Sequence, residues 1–177
     1  GTYEGRGYDI AYELNMNDLN PLLQLFVPEL QVAYDTYLEG NIRGGFTNML
    51  SLHGSIDTIR YENTLFLDNR IDIATSKITD STEVLAMVFM ESDRQFIDQD
   101  ELNVNTEDFV FEAIWDDDHI DFTQRVQQVN TSNHANIYGE LWFLKDTTKI
   151  SLAPSDLLVL EDPWYFSEDN QILITAS

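Results

Sequence analysis

A two-residue alternation of apolar and polar side chains runs through most of this chain and constrains its fold more than any other feature. Ile71 and Ile73, for example, flank Asp72. Successive side chains of a β-strand point to opposite faces of a sheet, so this period predicts strands with one apolar face and one polar, solvent-exposed face. The segments with strand character are Tyr8–Leu14, Tyr37–Phe46, Met49–Tyr61, Thr64–Ile78, Thr82–Ser92, Asp108–Trp115, His119–Val129, Ala135–Leu144, Thr148–Leu152, Leu157–Leu160 and Gln171–Thr175.

Strand follows strand in this pattern with no helix long enough to cross between parallel strands. The sequence therefore predicts a mostly β fold, with an antiparallel sheet over residues 37–175. One short helix is expected at about Asp18–Val27, because Asn17 and Asp18 can cap it and Pro21 suits its first turn. The apolar side chains expected to pack this helix on the sheet are Leu19, Leu22, Leu23 and Phe26. The length of 177 residues predicts one β-rich segment, residues 1–177.

Polar clusters between the apolar runs predict the connections. Asp68-Asn69 and the run from Asp116 to Asp118 have the composition of turns. The acidic stretch from Asp98 to Glu101 is expected in a mobile loop that continues to Asp108. The longest apolar run, Val84–Met90, predicts a strand covered on both faces.

Acidic residues dominate the charge. The chain has 32 Asp and Glu against 9 Lys and Arg, for a formal net charge of −23 and a pI of about 4.1. A field of this sign repels phosphate backbones, which excludes nucleic acid as a partner. The acidity predicts a solvated surface that discourages strand edges from aggregating, and a calcium-loaded surface is the alternative.

The sequence offers no arrangement that points to catalysis. It has no cysteine, no Gly-x-Ser-x-Gly elbow and no glycine-rich phosphate loop ending in Lys. The three histidines are scattered, and the run from Asp116 to His119 lacks the spacing of a calcium loop. We therefore expect a protein that is not an enzyme, with no catalytic residues, no cofactor and no metal. A hydrolase on a β-scaffold is the weakest alternative.

A short sequence pattern occurs three times, with glycine at the centre of five residues that begin and end with an apolar side chain. The three segments are Leu38–Ile42, Leu52–Ile56 and Ile137–Leu141. The glycines are Gly40, Gly54 and Gly139. Glycine within a strand commonly marks a bend or bulge. The alternative is a gap in the apolar face where an apolar guest could lie.

Two parts of the chain resemble the AsmA and TamB family. The first runs from Tyr8 to Leu30 as a strand, an Asp-Leu-Asn-Pro-Leu-Leu helix and a proline, and continues from Gln31 to Phe46 as a strand with apolar-x-Gly-x-apolar character. The second comprises Ala135–Gly139, Ile150–Leu157, Trp164 and Asn170–Ile172. The sequence departs from the family pattern in having no amino-terminal anchor and no recognisable carboxy-terminal segment that meets an outer-membrane barrel.

The resemblance implies an elongated, curved sheet folded into a trough, or half-pipe, with an apolar interior. It implies a non-enzymatic segment of a longer periplasmic envelope protein whose parent is anchored in the inner membrane. The cargo would be phospholipid acyl chains passing between the inner and outer membranes, or unfolded outer-membrane chains during assembly. An outer-membrane barrel would be a partner through the parent protein.

The alternation selects the side chains expected to line this groove. They are Leu50, Leu52, Ile56, Leu65, Leu67, Ile71, Ile73, Ile120, Phe122, Leu141, Phe143, Ile150 and Leu152. The alternative is a ligand-binding or adhesive β-barrel or β-sandwich of a secreted or surface protein. Closure distinguishes these architectures, because a barrel pairs its first and last strands whereas a trough leaves two free edges.

Overall fold

The computed structural model describes residues 7–99, 102–116, 118–167 and 170–175. Strands account for 73% of the chain, which confirms the mostly β prediction. The elements are β1 Tyr8–Met16, α1 Asn20–Leu23, β2 Leu30–Val32, β3 Thr36–Gly44, β4 Thr47–Tyr61, β5 Thr64–Ile78, β6 Val84–Gln99, β7 Leu102–Asp116, β8 His119–Gln128, β9 His134–Leu144, β10 Thr147–Leu152, β11 Asp156–Val159, β12 Asp162–Trp164 and β13 Gln171–Thr175.

All thirteen strands belong to one antiparallel sheet. Its main path is β1-β3-β4-β5-β6-β7-β8-β9-β10-β13, so most strands pair with their neighbours in sequence, as predicted. The sheet forks near both sides, because β4 pairs with β3 and β2 along different parts of its length, and β9 pairs with β10 and β11. In the described part of the chain, β1 and β13 do not pair, so the sheet is open and consistent with a trough. Over the described ranges it is one open sheet, neither a closed barrel nor a sandwich.

The sheet forms a single layer with little interior. A compact monomer of 20.4 kDa exposes about 8,800 Å² by the usual size scaling, whereas this protein exposes 12575 Å². Among the described residues the buried apolar side chains are Val32, Leu38, Ile56 and Ile59. The prediction that the run Val84–Met90 is covered on both faces is wrong, since alternate side chains of this strand, such as Leu85, are exposed.

The helix is shorter than predicted. It spans only Asn20–Leu23 and continues as turns to Phe26. The Asn20 amide donates to the Val32 carbonyl and accepts from the Val32 N–H, which fixes the helix start against β2. Leu19 and Leu23 pack on the small core, whereas Leu22 and Phe26, also expected to pack, are exposed. Among the described residues no helix is long and apolar enough to cross a membrane.

A crease crosses the middle of the sheet where the regular pairing of β4 to β7 is interrupted. One aspartate on each strand lies at the interruption: Asp57, Asp68, Asp93 and Asp108. Asp68 and Asp108 have positive φ values of 53° and 54°. Aspartate visits this left-handed region more readily than most residues, so the chain changes direction there without glycine.

Buried polar side chains replace ladder hydrogen bonds at the crease. Asn69 donates to the carbonyls of Ile56 and Phe66, and Ser92 donates to the Leu67 carbonyl. Gln95 donates to the Ser92 carbonyl at 2.8 Å and accepts from the Thr106 hydroxyl, also at 2.8 Å. The residues that supply these bonds are Asn69, Ser92, Gln95 and Thr106, and all four are buried. Asn69, Ser92 and Gln95 donate to backbone carbonyls that would otherwise lack partners, and Thr106 donates to the Gln95 side chain.

The crease corrects two predicted connections. Asp68-Asn69 is a bend inside the continuous strand β5, and the chain does not reverse there. The predicted loop from Asp98 to Asp108 is largely strand, because β6 runs to Gln99 and β7 begins at Leu102. Residues 100 and 101 of that prediction lie outside the described part. Strands β7 and β8 are connected around Asp118, where a turn was predicted, and residue 117 is again outside the described part.

Candidate functional site

The strand register assigns each side chain to one face of the sheet, because residues opposite each other on paired strands point the same way. On the side of the crease that carries β1, β3, β10 and β13, three cross-strand rows of uncharged and mostly apolar residues share one face. We call these three rows the apolar stripe. The first row is Ile10, Ile42, Leu50, Thr75, Ala86, Trp115, Ile120, Leu141, Ile150 and Ile172; the second is Tyr12, Gly40, Leu52, Ile73, Val88, Ala113, Phe122, Gly139 and Leu152; the third is Leu14, Leu38, Gly54, Ile71, Met90, Phe111, Gln124 and Ile137.

The stripe contains no acidic residue, lysine, arginine or histidine. Its first row crosses all ten strands of the main path, and nine spacings of roughly 4.8 Å make it about 43 Å long. The opposite face over the same rows carries the charge. The charged and titratable residues there are Asp9, Glu13, Glu39, Arg43, His53, Arg70, Asp72, Glu91, Glu112, Asp116, His119, Asp121, Arg125, Glu140 and Lys149.

In the described protein no other layer covers the first two rows of the stripe, whereas in the third row Leu38 is buried and Ile71 and Met90 pack against the small core. Ile10 and Ile172 at its two ends are 52% and 53% exposed, and the side chains between them, such as Ile73, are mostly half-buried by their neighbours in the sheet. Trp115 is 44% exposed, and its ring is tilted against that of Phe143 with centroids 6.1 Å apart. An uncharged apolar surface of this extent is typical of a binding surface.

The structure brings most of the predicted groove residues together. Those within the stripe are Leu50, Leu52, Ile71, Ile73, Ile120, Phe122, Leu141, Ile150 and Leu152. Phe143 lies on the same face in the row beside the stripe, opposite Thr148. Other stripe residues were not predicted to line the groove. Their strands were predicted, but the sequence does not show which residues of neighbouring strands lie opposite each other. Among them are Ile10, Ile42, Val88, Phe111 and Ile172.

Three predicted groove residues are placed elsewhere. Ile56 is 6% exposed and belongs to the small core, so a guest on the sheet could not reach it. Leu65 and Leu67 lie beyond the crease, on either side of Phe66. Because Phe66 packs against the same core as Ile71, alternation directs Leu65 and Leu67 to the other face. The left-handed Asp68 causes this change of side.

The glycines do not leave gaps in the stripe. A Cβ at Gly40 would overlap the Tyr12 side chain and the Ser51 carbonyl, and one at Gly54 would overlap Leu38. A Cβ at Gly139 would lie 2.6 Å from the Phe122 ring. Neighbouring side chains therefore fill the space above each glycine, and the interpretation of these positions as room for a guest is wrong. None of the three has a positive φ.

The opposite face has a shallow depression of about 420 Å³ around His53 and Asp72. The His53 Nδ1 atom lies 2.5 Å from Asp72 Oδ1, and Arg70 lies 3.1 Å from the other carboxylate oxygen. The Arg70 guanidinium is 6.0 Å from the centroid of the Phe89 ring. Ser51 lines the depression, and its Oγ accepts from the Asn41 N–H. These groups form a surface ion-pair cluster without the linked nucleophile and base of a hydrolase.

A second depression, of about 430 Å³, lies beside β11 and is lined mainly by apolar side chains such as Val104, Val126 and Leu158. His134 borders it. The Ser132 carbonyl, 2.9 Å from His134 Nδ1, raises the pKa of the imidazole, and the Asp156 carboxylate, 3.2 Å from Nε2, adds to the increase. Across the described ranges no group of three or more His, Asp or Glu side chains is arranged to hold a metal ion.

Comparison with protein-family models, with curated proteins and with solved structures gave no match to this chain. The resemblance to the AsmA and TamB family therefore depends on the sequence motifs around Tyr8–Phe46 and Ala135–Ile172. The functional interpretation depends on the geometry of the stripe.

Proposed function

We propose that this chain is a non-enzymatic, AsmA/TamB-like segment whose apolar stripe takes up the acyl chains of phospholipids. In a longer parent protein anchored in the inner membrane, the stripe would form part of a periplasmic path between the two membranes. The same surface would suit the apolar side chains of unfolded outer-membrane proteins on their way to a barrel partner. No cofactor takes part in either role.

One observation carries the proposal: the stripe is mostly apolar, free of charge and, over its first two rows, uncovered in the described protein. Each methylene group removed from water against such a surface contributes roughly 0.8 kcal/mol, so an acyl chain gains much from lying along it. A phosphate or other charged headgroup gains nothing there and would remain in water. This division favours an amphiphile over a wholly polar ligand.

The direction of the stripe favours passage over storage. Its first row runs across the strands from the β1 edge to the β13 edge, and in the described part of the protein neither edge is closed by another strand. A guest could therefore move along the surface without leaving an apolar environment. A lipocalin-like barrel would instead enclose its ligand, and a sandwich would fill the space with a second sheet.

Photocrosslinking of the purified chain tests the proposal. A photoreactive amino acid is placed on the stripe or on the opposite face, and each variant is illuminated with phosphatidylcholine vesicles. This zwitterionic lipid avoids repulsion by the net charge of −23. The stripe positions are Leu52, Ile73 and Phe122, and the matched controls on neighbouring residues are Ser51, Asp72 and Asp121. Mass spectrometry should find lipid adducts at the stripe positions at least about tenfold more often than at the controls.

Equal labelling of the two sets, or no labelling of either, would contradict the acyl-chain proposal. A second variant, Ile73→Glu, separates a groove from a packed interior. Ile73 is half-buried on the stripe, so a carboxylate there should abolish lipid adducts at Phe122 while circular dichroism still reports a folded sheet. Loss of the fold in this variant would indicate that the stripe is structural.

A further inference from the structure

Strand β13 is an edge strand with none of the usual protection against pairing with another chain. Its five residues, Gln171–Thr175, all pair with β10 on one side, and in the described part of the protein no strand pairs with them on the other. All five are exposed, with Ile172, Leu173 and Ile174 at 53%, 59% and 54%. The strand has no charged residue, no proline and no residue with a positive φ. Natural edge strands usually carry at least one of these devices.

The opposite edge is protected by charge. Strand β1 carries Asp9 and Glu13, and β3 beside it adds Glu39 directly opposite Glu13. Hydrogen bonds from Asn41 and Arg43 lower the pKa of Asp9, so its carboxylate stays ionised. A second copy that approached β1 would bring the same acidic residues against these, which opposes pairing.

The surroundings of β13 are unusual for so acidic a protein. Neither β13 nor the adjacent β10 contains an acidic residue, and β10 contributes a positive charge at Lys149, opposite Leu173. Two copies that approach at this end of the sheet therefore meet less repulsion than two that approach at β1.

We propose that two copies of this chain associate through antiparallel pairing of their β13 strands, about a two-fold axis at Leu173. In this register Leu173 lies opposite itself, Ile172 lies opposite Ile174 of the second copy, and Gln171 lies opposite Thr175. Any other antiparallel register pairs fewer than all five residues. The arrangement is isologous, so it closes at two copies and cannot extend into a filament.

The pairing would join the two apolar stripes. Ile172 and Ile174 lie on the face of the stripe, and an axis perpendicular to the sheet keeps that face on the same side in both copies. A contact of five residues buries far less than the roughly 1,600 Å² of a standard interface, so the dimer is weak. The net charges of the two copies repel, so added salt strengthens the association.

Sedimentation equilibrium of the purified chain, at micromolar to near-millimolar concentrations in 0.05 M and 0.5 M NaCl, tests the proposal. The wild type should show a monomer–dimer equilibrium whose dissociation constant falls at least about threefold at the higher salt. Leu173→Lys and Leu173→Glu each place like charges opposite each other and should raise the dissociation constant at least about tenfold. An equimolar mixture should restore dimers, because Lys then lies opposite Glu.

Ala11→Lys on strand β1 is the control and should leave the association unchanged. Circular dichroism of every variant confirms that the sheet is folded. A wild type that remains monomeric at the highest concentration in 0.5 M NaCl overturns the proposal. So does a mixture that fails to associate, or an effect of Ala11→Lys equal to that of the Leu173 variants, which would assign the contact to β1.

Discussion

Gly40 lies beneath the Tyr12 side chain on the neighbouring strand, where the backbone of β4 also comes close. Gly40→Ala would set its new methyl group against the Ser51 carbonyl as well as the tyrosine, and the backbone cannot move aside cheaply. We expect a loss of about 1–3 kcal/mol in the free energy of unfolding, as for other overpacked sites, measured by urea denaturation. Gly45→Ala is the control, because its Cβ would meet only Gly7 Cα at 3.7 Å. An equal loss in both variants would contradict a steric cause.

His134 makes a contact through each ring nitrogen, and both neighbours are oxygen acceptors. Only the imidazolium can donate to both, which explains the direction of its pKa shift. Because the folded-state pKa is raised, the stabilisation is fully present below the ordinary value of 6.5 and is lost as the pH rises through the raised pKa. NMR titration should place the pKa of His134 above 6.5, with a smaller shift in Asp156→Asn.

The matching stability measurement compares the wild type with His134→Gln across this pH range. The difference in unfolding free energy should be largest at acidic pH and shrink as the pH rises. A difference that grows with pH would show that the neutral ring is the stabilising form.

At the scale of elements, the crease depends on buried hydrogen bonds. Gln95→Met keeps the size of the side chain but leaves the Ser92 carbonyl and the Thr106 hydroxyl without their partner. Each buried group left unsatisfied costs about 1–3 kcal/mol, so denaturation should show a loss of at least that size. The exposed Gln127→Met should change stability by no more than about 0.5 kcal/mol. If Gln95→Met leaves the free energy of unfolding unchanged, water replaces the lost hydrogen bonds.

Regular alternation allowed much of the sheet to be predicted from the sequence. Thr64–Ile78 and Gln171–Thr175 have the predicted bounds, and most other strands differ by a few residues at their ends. The short strands β2 and β12 were missed, because three residues are too few to display a period. The nine predicted groove residues that share the face of the stripe lie on stretches of strand whose alternation is unbroken.

Several predictions that failed concern the crease or the strand register. Around Gln95 and Thr106 the buried positions are polar, because Gln95 hydrogen-bonds to the Ser92 carbonyl and to the Thr106 hydroxyl, so the sequence resembles a loop. At Asp68 a single left-handed residue changes the side to which Leu65 and Leu67 point. A one-residue change of this kind inverts every later side chain, and alternation alone gives no sign of it.

At the scale of the whole molecule, the net charge of −23 is spread over a single-layer sheet. Aspartates follow one another across the crease, and like charges on adjacent strands are destabilising. Because 1 M salt shortens the screening length to about 3 Å, we expect the thermal midpoint to rise between 0.05 M and 1 M NaCl. Sodium chloride should act as strongly as potassium chloride if screening is the cause. A falling midpoint would show that the few ion pairs outweigh the repulsion.

Each strand of the described sheet is hydrogen-bonded only to the strands beside it, and ring contacts such as that of Trp115 with Phe143 span a single intervening strand. Within the described residues no second sheet ties distant strands together. The protein is therefore nearly one-dimensional, and its stability is a sum over neighbouring pairs, as in repeat proteins. A pulling force applied at one side should peel off the outermost strands in steps, because their loss leaves the remaining pairs intact. The same property lets such a chain gain or lose whole hairpins over evolution, so that its span across the strands changes while the local structure is kept.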